Sequence, residues 1–341
     1  MKVLIIGGTG FIGTFVSKQL LARGNDVTIV HRGQTTSEVS STQMKEIAAE
    51  HNNLDRCIEE FKHVGPEVVI DMIPMCEDDA RDLINAFRGI AKRLVVISSA
   101  DVYRNYELLR GITEAFPDPR LITESSPLRE NLFPYRNQAK DENDQLYNYD
   151  KILVERVVMN QDEFPVTILR LPAVYGPGDK KHRLFPYLKR MDDGRPAILV
   201  EQGLMDWRWT RGYVENVAAA ISWAAGDQRP ISRIYNVGES KGIAERDWIQ
   251  SIAEVVGWKG KIVAVAPSLF PEQMRSGLAW QHQLETDTSL IRSQPDFSEP
   301  FSFREGISRT IAWERENPSS IRNPGDFNYE AEDRVLATVT D

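Results

Sequence analysis

The chain has 341 residues, enough for one large domain or two closely joined ones with a substantial buried core. Apolar residues make up 41% and charged residues 27%, and 50 acidic against 41 basic side chains leave a formal charge of −9; this disfavours nucleic acid as a partner, which needs clustered cations, but not a local basic pocket for a small anion. Two cysteines, Cys57 and Cys76, without C-x-x-C or Cys/His spacing argue against a metal site or a disulfide framework, and no apolar run approaches the roughly 18 to 20 residues of a membrane span.

The first apolar run, residues 3–6, reads as a buried parallel strand. It is too short for a signal peptide, so a cytoplasmic protein with no membrane partner is expected. Glycines follow, then helical spacing over 14–23 and a second strand over 27–30. Strands are expected at 68–70 and 94–98 with a helix at 78–90 between them. This order implies an α/β fold of the Rossmann type, a doubly wound parallel sheet with helices on both faces. Residues 104–140, rich in Pro, Glu, Arg and aromatics, read as an irregular excursion with one or two short helices, and a loop of that length is usually functional. A helix is expected over 141–160 and a strand over 166–169. Beyond Pro172 the pattern is mixed, with strands at 197–200 and 234–237 and helices at 214–225 and 245–256. The expected division is a dinucleotide-binding domain over 1–170, a smaller mixed α/β substrate region over 171–320 interleaved with it, and a tail over 321–341.

Gly7-Gly8-Thr9-Gly10-Phe11-Ile12-Gly13 sits directly after a strand and at the start of a helix. Gly7, Gly10 and Gly13, with Phe11 and Ile12 between them, fit a turn in which backbone and helix N-terminus approach a pyrophosphate. The second strand ends Val30-His31-Arg32-Gly33, with no carboxylate for a ribose 2′-hydroxyl. Arg32 could instead pair with a 2′-phosphate, which leans the cofactor toward NADP and leaves NAD open. Tyr147 is followed at the fourth position by Lys151. On one helix the two share a face, and the ammonium would lower the phenol's pKa and make it a general acid/base. The strand 94–98 runs into Ser98-Ser99-Ala100-Asp101-Val102-Tyr103, so a serine, Ser98 or Ser99, lies where ligands sit in such sheets and could hold a substrate oxygen.

These motifs, followed by Arg170-Leu171-Pro172-Ala173-Val174-Tyr175-Gly176-Pro177-Gly178-Asp179, resemble the extended short-chain dehydrogenase/reductase family in its nucleotide-sugar epimerase/dehydratase branch. The resemblance runs from Met1 to about Asn317. It implies Ser99, Tyr147 and Lys151 as the catalytic set, with Tyr147 and Lys151 also at the cofactor and Pro172 beside it. It implies Glu50 on the adenine side and Arg211 on a nucleotide-sugar diphosphate, with His182 and Arg183 nearby. Dehydratases of the branch carry Asp-Glu after the hydroxyl residue; here Ala100 and Asp101 stand there, so one carboxylate is left on the substrate side. The family commonly dimerises through two helices per subunit, which here would be 78–90 and 141–160.

The leading expectation is therefore an NAD(P)-dependent sugar-nucleotide epimerase or related sugar oxidoreductase, a homodimer. Alternatives are a dissociable NADPH-dependent reductase of a non-nucleotide ketone, or a non-catalytic RNA-associated member of the fold using Trp207-Arg208-Trp209 as a stacking surface.

Overall fold

The computed structural model describes residues 1–33, 44–270, 275–319 and 327–340. The chain opens with β1 (Lys2–Ile6), α1 (Phe11–Ala22), β2 (Asp26–His31), β3 (Lys45–Ala48), α2 (Ile58–Val64), β4 (Val68–Asp71), α3 (Glu77–Phe87) and β5 (Arg93–Ser99). Next come α4 (Arg104–Leu109), α5 (Lys151–Met159), β6 (Val166–Leu171), β7 (Ala173–Tyr175), α6 (Phe185–Asp192), β8 (Ala197–Glu201) and α7 (Gln202–Met205). They are followed by β9 (Arg208–Trp209), β10 (Arg211–Tyr213), α8 (Val214–Gly226), β11 (Arg233–Asn236), β12 (Ile243–Ala244) and α9 (Glu245–Val256). The last elements are β13 (Lys261–Val265), α10 (Ser289–Arg292), α11 (Phe303–Glu316) and α12 (Tyr329–Thr340).

Seven strands form one sheet in the order β11-β6-β5-β4-β1-β2-β3. Every pairing in it is parallel, with Ile5 opposite Ile29 on one side and Ile70 on the other. Strand alternation divides the core. Val3, Ile5, Val27 and Ile29 pack with α1 and α8 on one face, while Leu4, Ile6, Val69 and Val96 pack with α2, α3 and α5 on the other. The expected doubly wound Rossmann sheet is present. Its order reverses between β1 and β4, which opens a crevice at the carboxyl ends of the strands. Three two-stranded sheets, β7–β10, β8–β13 and β9–β12, build the mixed C-terminal part. That part also returns β11 and α8 to the large sheet. The last stretch is docked: α12 buries Ala331 and Val335, and Glu332 pairs with Arg190.

The expected helix over 141–160 begins ten residues late. Asp150 is its N-cap, accepting from the Ile152 N–H at 2.9 Å. Upstream, Asp141 and Asp144 side chains accept from the backbone N–H groups of Asn143 and Leu146. Such local bonds compete with helix, so residues 141–149 form turns. The excursion holds α4 and a short 3-10 turn at Arg136–Gln138. Among the described residues, no helix is long and apolar enough to cross a membrane.

Candidate active site

The glycine turn is shaped for a close ligand. Gly7 has φ +83°, and a Cβ placed on Gly13 would run into the Gly7 carbonyl oxygen. Gly10 caps α1 without a side-chain hydrogen bond, and no acidic residue stands in the first turn. The first-turn N–H groups and the positive end of the helix dipole are thus left for an anion. Phe11 packs over Gly178, Ile12 against the core, and Pro172 against Gly212 and Gly238. A dinucleotide pyrophosphate fits this cradle.

At the end of β2, His31 faces Glu46 of β3 at 3.3 Å and accepts from the Gly33 N–H, while Arg32 is exposed. Glu50 is exposed just after β3. One residue on, His51 lies between Asp71 at 2.6 Å and Asp79 at 3.4 Å. Burial pulls its pKa down, but the two carboxylates outweigh it and push it up to about 9.

Alternation along β5 separates the two serines. Ser98 is buried on the α5 side and donates to Glu155 at 2.5 Å, inside an ion pair between Glu155 and Arg170. Ser99 is the half-buried last residue of the strand and points to the opposite face. Lys151 opens α5 fully enclosed, its Nζ donating to the carbonyls of Pro74 at 2.5 Å and Ile97 at 3.1 Å. Burial lowers its pKa, against the pull of Asp71, Asp101 and Asp79.

Tyr147 does not join these two. It lies in the turn before α5, its hydroxyl 3.3 Å from Glu142 and its ring under the Arg136 guanidinium at 4.7 Å. The cause is the late helix start, which removes the shared face expected of Tyr147 and Lys151. Tyr149 is the phenol that lies near Lys151 instead. Its buried phenol donates to Asp101 Oδ2 at 2.9 Å, with Ser99 close by and Lys151 Nζ 6.0 Å from the ring centre. Burial first, and then Asp101, push its pKa well above the ordinary value.

Asp101, expected on the substrate side, is 5% exposed and stands behind two phenols. Tyr135 of the excursion donates to the same Oδ2 at 3.0 Å. Beyond lies a cavity of about 610 Å³, walled by Tyr106, Tyr135, Trp207, Trp209, Trp248 and Trp280. Its lining charges are Arg110, Arg183, Arg211 and Glu245, three cations to one anion. Arg211 is buried, ion-paired to Glu245 and stacked at 4.5 Å on Trp248, with Nη1 left unpartnered. Arg183 also bonds Asp179 at 2.7 Å. His182 is not on this wall: its Nδ1 bonds Glu314 at 2.6 Å and its ring stacks on Trp313. Nor do the tryptophans form an outer stacking surface, since Trp207 is buried and Trp209 turns inward to the cavity.

Tyr149, Tyr135 and Glu245 escaped the reading of the sequence. Asp150 was the available signal: an Asp directly before an apolar helical run marks a helix start, and it places Tyr147 outside.

Residues 3–238 match the pattern of the NAD dependent epimerase/dehydratase family. A UDP-N-acetyl-alpha-D-glucosaminuronate decarboxylase of Bacillus cytotoxicus is 25% identical, over 92% of this chain and 98% of that protein. A 2′-dehydrokanamycin reductase of Streptomyces kanamyceticus is 24% identical over 80% of this chain and 72% of its own length. Among solved structures, the Thermus thermophilus UDP-glucose 4-epimerase complex with NAD superposes with a TM-score of 0.66 at 21% identity, over 92% of this chain and 99% of that one.

Proposed function

Because the chain belongs to the NAD-dependent epimerase/dehydratase family, we propose that it oxidises and re-reduces a hydroxyl on a nucleotide sugar. The observation that carries this is the buried Tyr149 phenol, bonded to Asp101, with Ser99 and an enclosed Lys151 beside it. A bound nicotinamide would accept or supply the hydride. Ser99 would hold the substrate oxygen and Tyr149 would take or return its proton. Lys151, fixed by two carbonyls, would bond the nicotinamide ribose and stabilise the phenolate. Glu50 and Arg32 would flank the adenosine end, with Pro172 near the nicotinamide. Arg32, exposed with no carboxylate beside it in sequence, supports NADP over NAD. The three guanidinium groups lining the cavity suit a diphosphate, with Arg211 Nη1 as the unspent donor. We also propose a homodimer paired along α3 and α5, which lie side by side; sedimentation as a monomer at micromolar concentration would end that part.

The test is incubation of the purified chain with UDP-glucose and UDP-glucuronic acid in the presence of NAD or NADP. Conversion to an epimer without net cofactor consumption supports the reading. Absence of any product, with NADPH consumed on simple ketones, overturns it in favour of a dissociable reductase. The aromatic walls of the cavity, which suit an uncharged ring, are the observation on that side.

A further inference from the structure

Asp101 presents an unusual balance of partners. It lies just past β5, 5% exposed, in a short turn capped by Ser99. Both phenols that reach it, Tyr135 and Tyr149, donate to one oxygen, Oδ2. The other oxygen, Oδ1, is buried and has no hydrogen-bond partner. Two cations lie near and neither bonds the carboxyl. Arg129 directs Nε to the Asp101 backbone carbonyl at 2.6 Å and Nη2 to Asp150. Lys151 directs Nζ to Pro74 and Ile97. Arg110 lies over the Tyr135 ring at 5.1 Å, and Tyr106 and the buried Glu107 are the other titratable groups beside the pair, Glu107 accepting from the N–H groups of Glu130 and Asn131.

An ionised carboxylate in that place would leave a charged oxygen buried without a donor, which costs more than burying a neutral hydroxyl. A proton on Oδ1 removes the charge and leaves Oδ2 as a neutral acceptor for two phenols. Burial also raises the carboxyl's pKa, in the same direction. Tyr135 differs from Tyr149 in where it looks, for it lines the large cavity. Its approach is held in a constrained backbone: Phe133 has φ +55°, and its N–H is pinned to Asp150 Oδ2 at 2.6 Å.

We propose that Asp101 is a neutral carboxylic acid that stores the proton exchanged by Tyr149, and that Tyr135 is the outlet from this store to the cavity. The proposal rests on the reading of Tyr149 as the acid/base. During reduction, hydride reaches the carbonyl carbon and the carbonyl oxygen takes the Tyr149 proton. The phenolate recovers a proton when the Asp101 carboxyl turns and presents its O–H. The Tyr135 O–H then passes its proton to the Asp101 carboxylate as the same phenol oxygen takes a proton from hydronium or a buffer acid in the cavity, so that no free tyrosinate forms. One solvent proton enters for each carbonyl oxygen protonated, and oxidation runs the sequence backward. Tyr135 is thus a positioning and relay residue, with no contact to the reacting carbon required.

The test needs no substrate. Infrared difference spectra between the wild-type chain and Asp101→Asn near neutral pH are expected to show a protonated-carboxyl band that shifts in heavy water. Absence of that band overturns the proposal. Should Asp101→Asn not fold, Tyr135→Phe keeps the carboxyl in place, and its band is expected to move to higher frequency as one hydrogen bond is lost; an unmoved band overturns the relay. UDP-glucose with NAD separates the two readings. The band without conversion of UDP-glucose bears against the nucleotide-sugar reading alone, and conversion without the band bears against the proton store alone.

Discussion

The glycine turn and the phenol cluster stand at the same edge of the sheet, yet they are built in opposite ways. The turn is made of backbone over seven consecutive residues, and its chemistry is the absence of side chains. The phenol cluster is made of side chains from three separate stretches: Ser99 and Asp101 at the end of β5, Tyr135 in the excursion, and Tyr149 with Lys151 at the start of α5. A site of the first kind is local and unforgiving. A site of the second kind depends on where distant segments come to rest.

The sharpest break in that contrast is Gly13→Val. Its side chain meets backbone at Gly7 and Gly8, which cannot step aside. Dinucleotide binding is expected to be lost altogether, read by fluorescence titration, while circular dichroism checks that the sheet remains. Next in size is Tyr149→Phe, expected to lower turnover by about 10²–10⁴-fold, whereas Tyr147→Phe stays within about twofold. The reverse ranking in steady-state assays would return the acid/base role to Tyr147. Arg211→Leu would leave Glu245 buried without its cation, a loss of about 3–5 kcal/mol in denaturant unfolding. Replacing Glu245 by Leu as well should restore much of it. Arg32→Ala is expected to weaken NADP about tenfold and NAD hardly at all, measured by calorimetry; equal effects on both would remove the case for NADP.

A further effect is one of pH, read in stability alone. His51 has its pKa raised from 6.5 to about 9 by Asp71 and Asp79. A raised value means the folded state binds the proton more tightly. Its stabilisation is therefore complete below pH 6.5 and is lost as pH rises through 9. Tm should fall by several degrees across that window, and the slope should flatten in His51→Gln.

Legibility in the sequence followed the same division. Val3, Ile5, Val27 and Ile29 announce buried strands, and the glycines after β1 announce their turn, because both signals are local. Glu245–Val256 was readable as a helix for the same reason. The start of α5 was misread because apolar spacing continued upstream of Asp150, while the acidic side chains there close turns on their own backbone. That one slip gave Tyr147 and Lys151 a shared helix face that the structure does not give them. Of the cavity only Arg183 and Arg211 were legible, through the family resemblance: Trp207, Trp248 and Trp280 come from distant segments, and no spacing along the chain relates them. His182 and Arg183 show the limit from the other side. They are neighbours in sequence, yet one pairs with Glu314 in the interior and the other reaches the cavity wall.

Asp150 joins four pieces of the molecule. It caps α5 through Ile152, holds the Phe133 N–H, receives Arg129, and through its own N–H binds the Met75 carbonyl beyond β4. A segment that is knotted to a helix cap is not a free surface loop, however irregular its path. Insertions or deletions between Arg129 and Phe133 would uncap the helix that carries Lys151. That tether leaves side chains on the cavity face of the excursion, such as Tyr106, Arg110 and Tyr135, open to exchange, like a keystone that can be recarved but not resized.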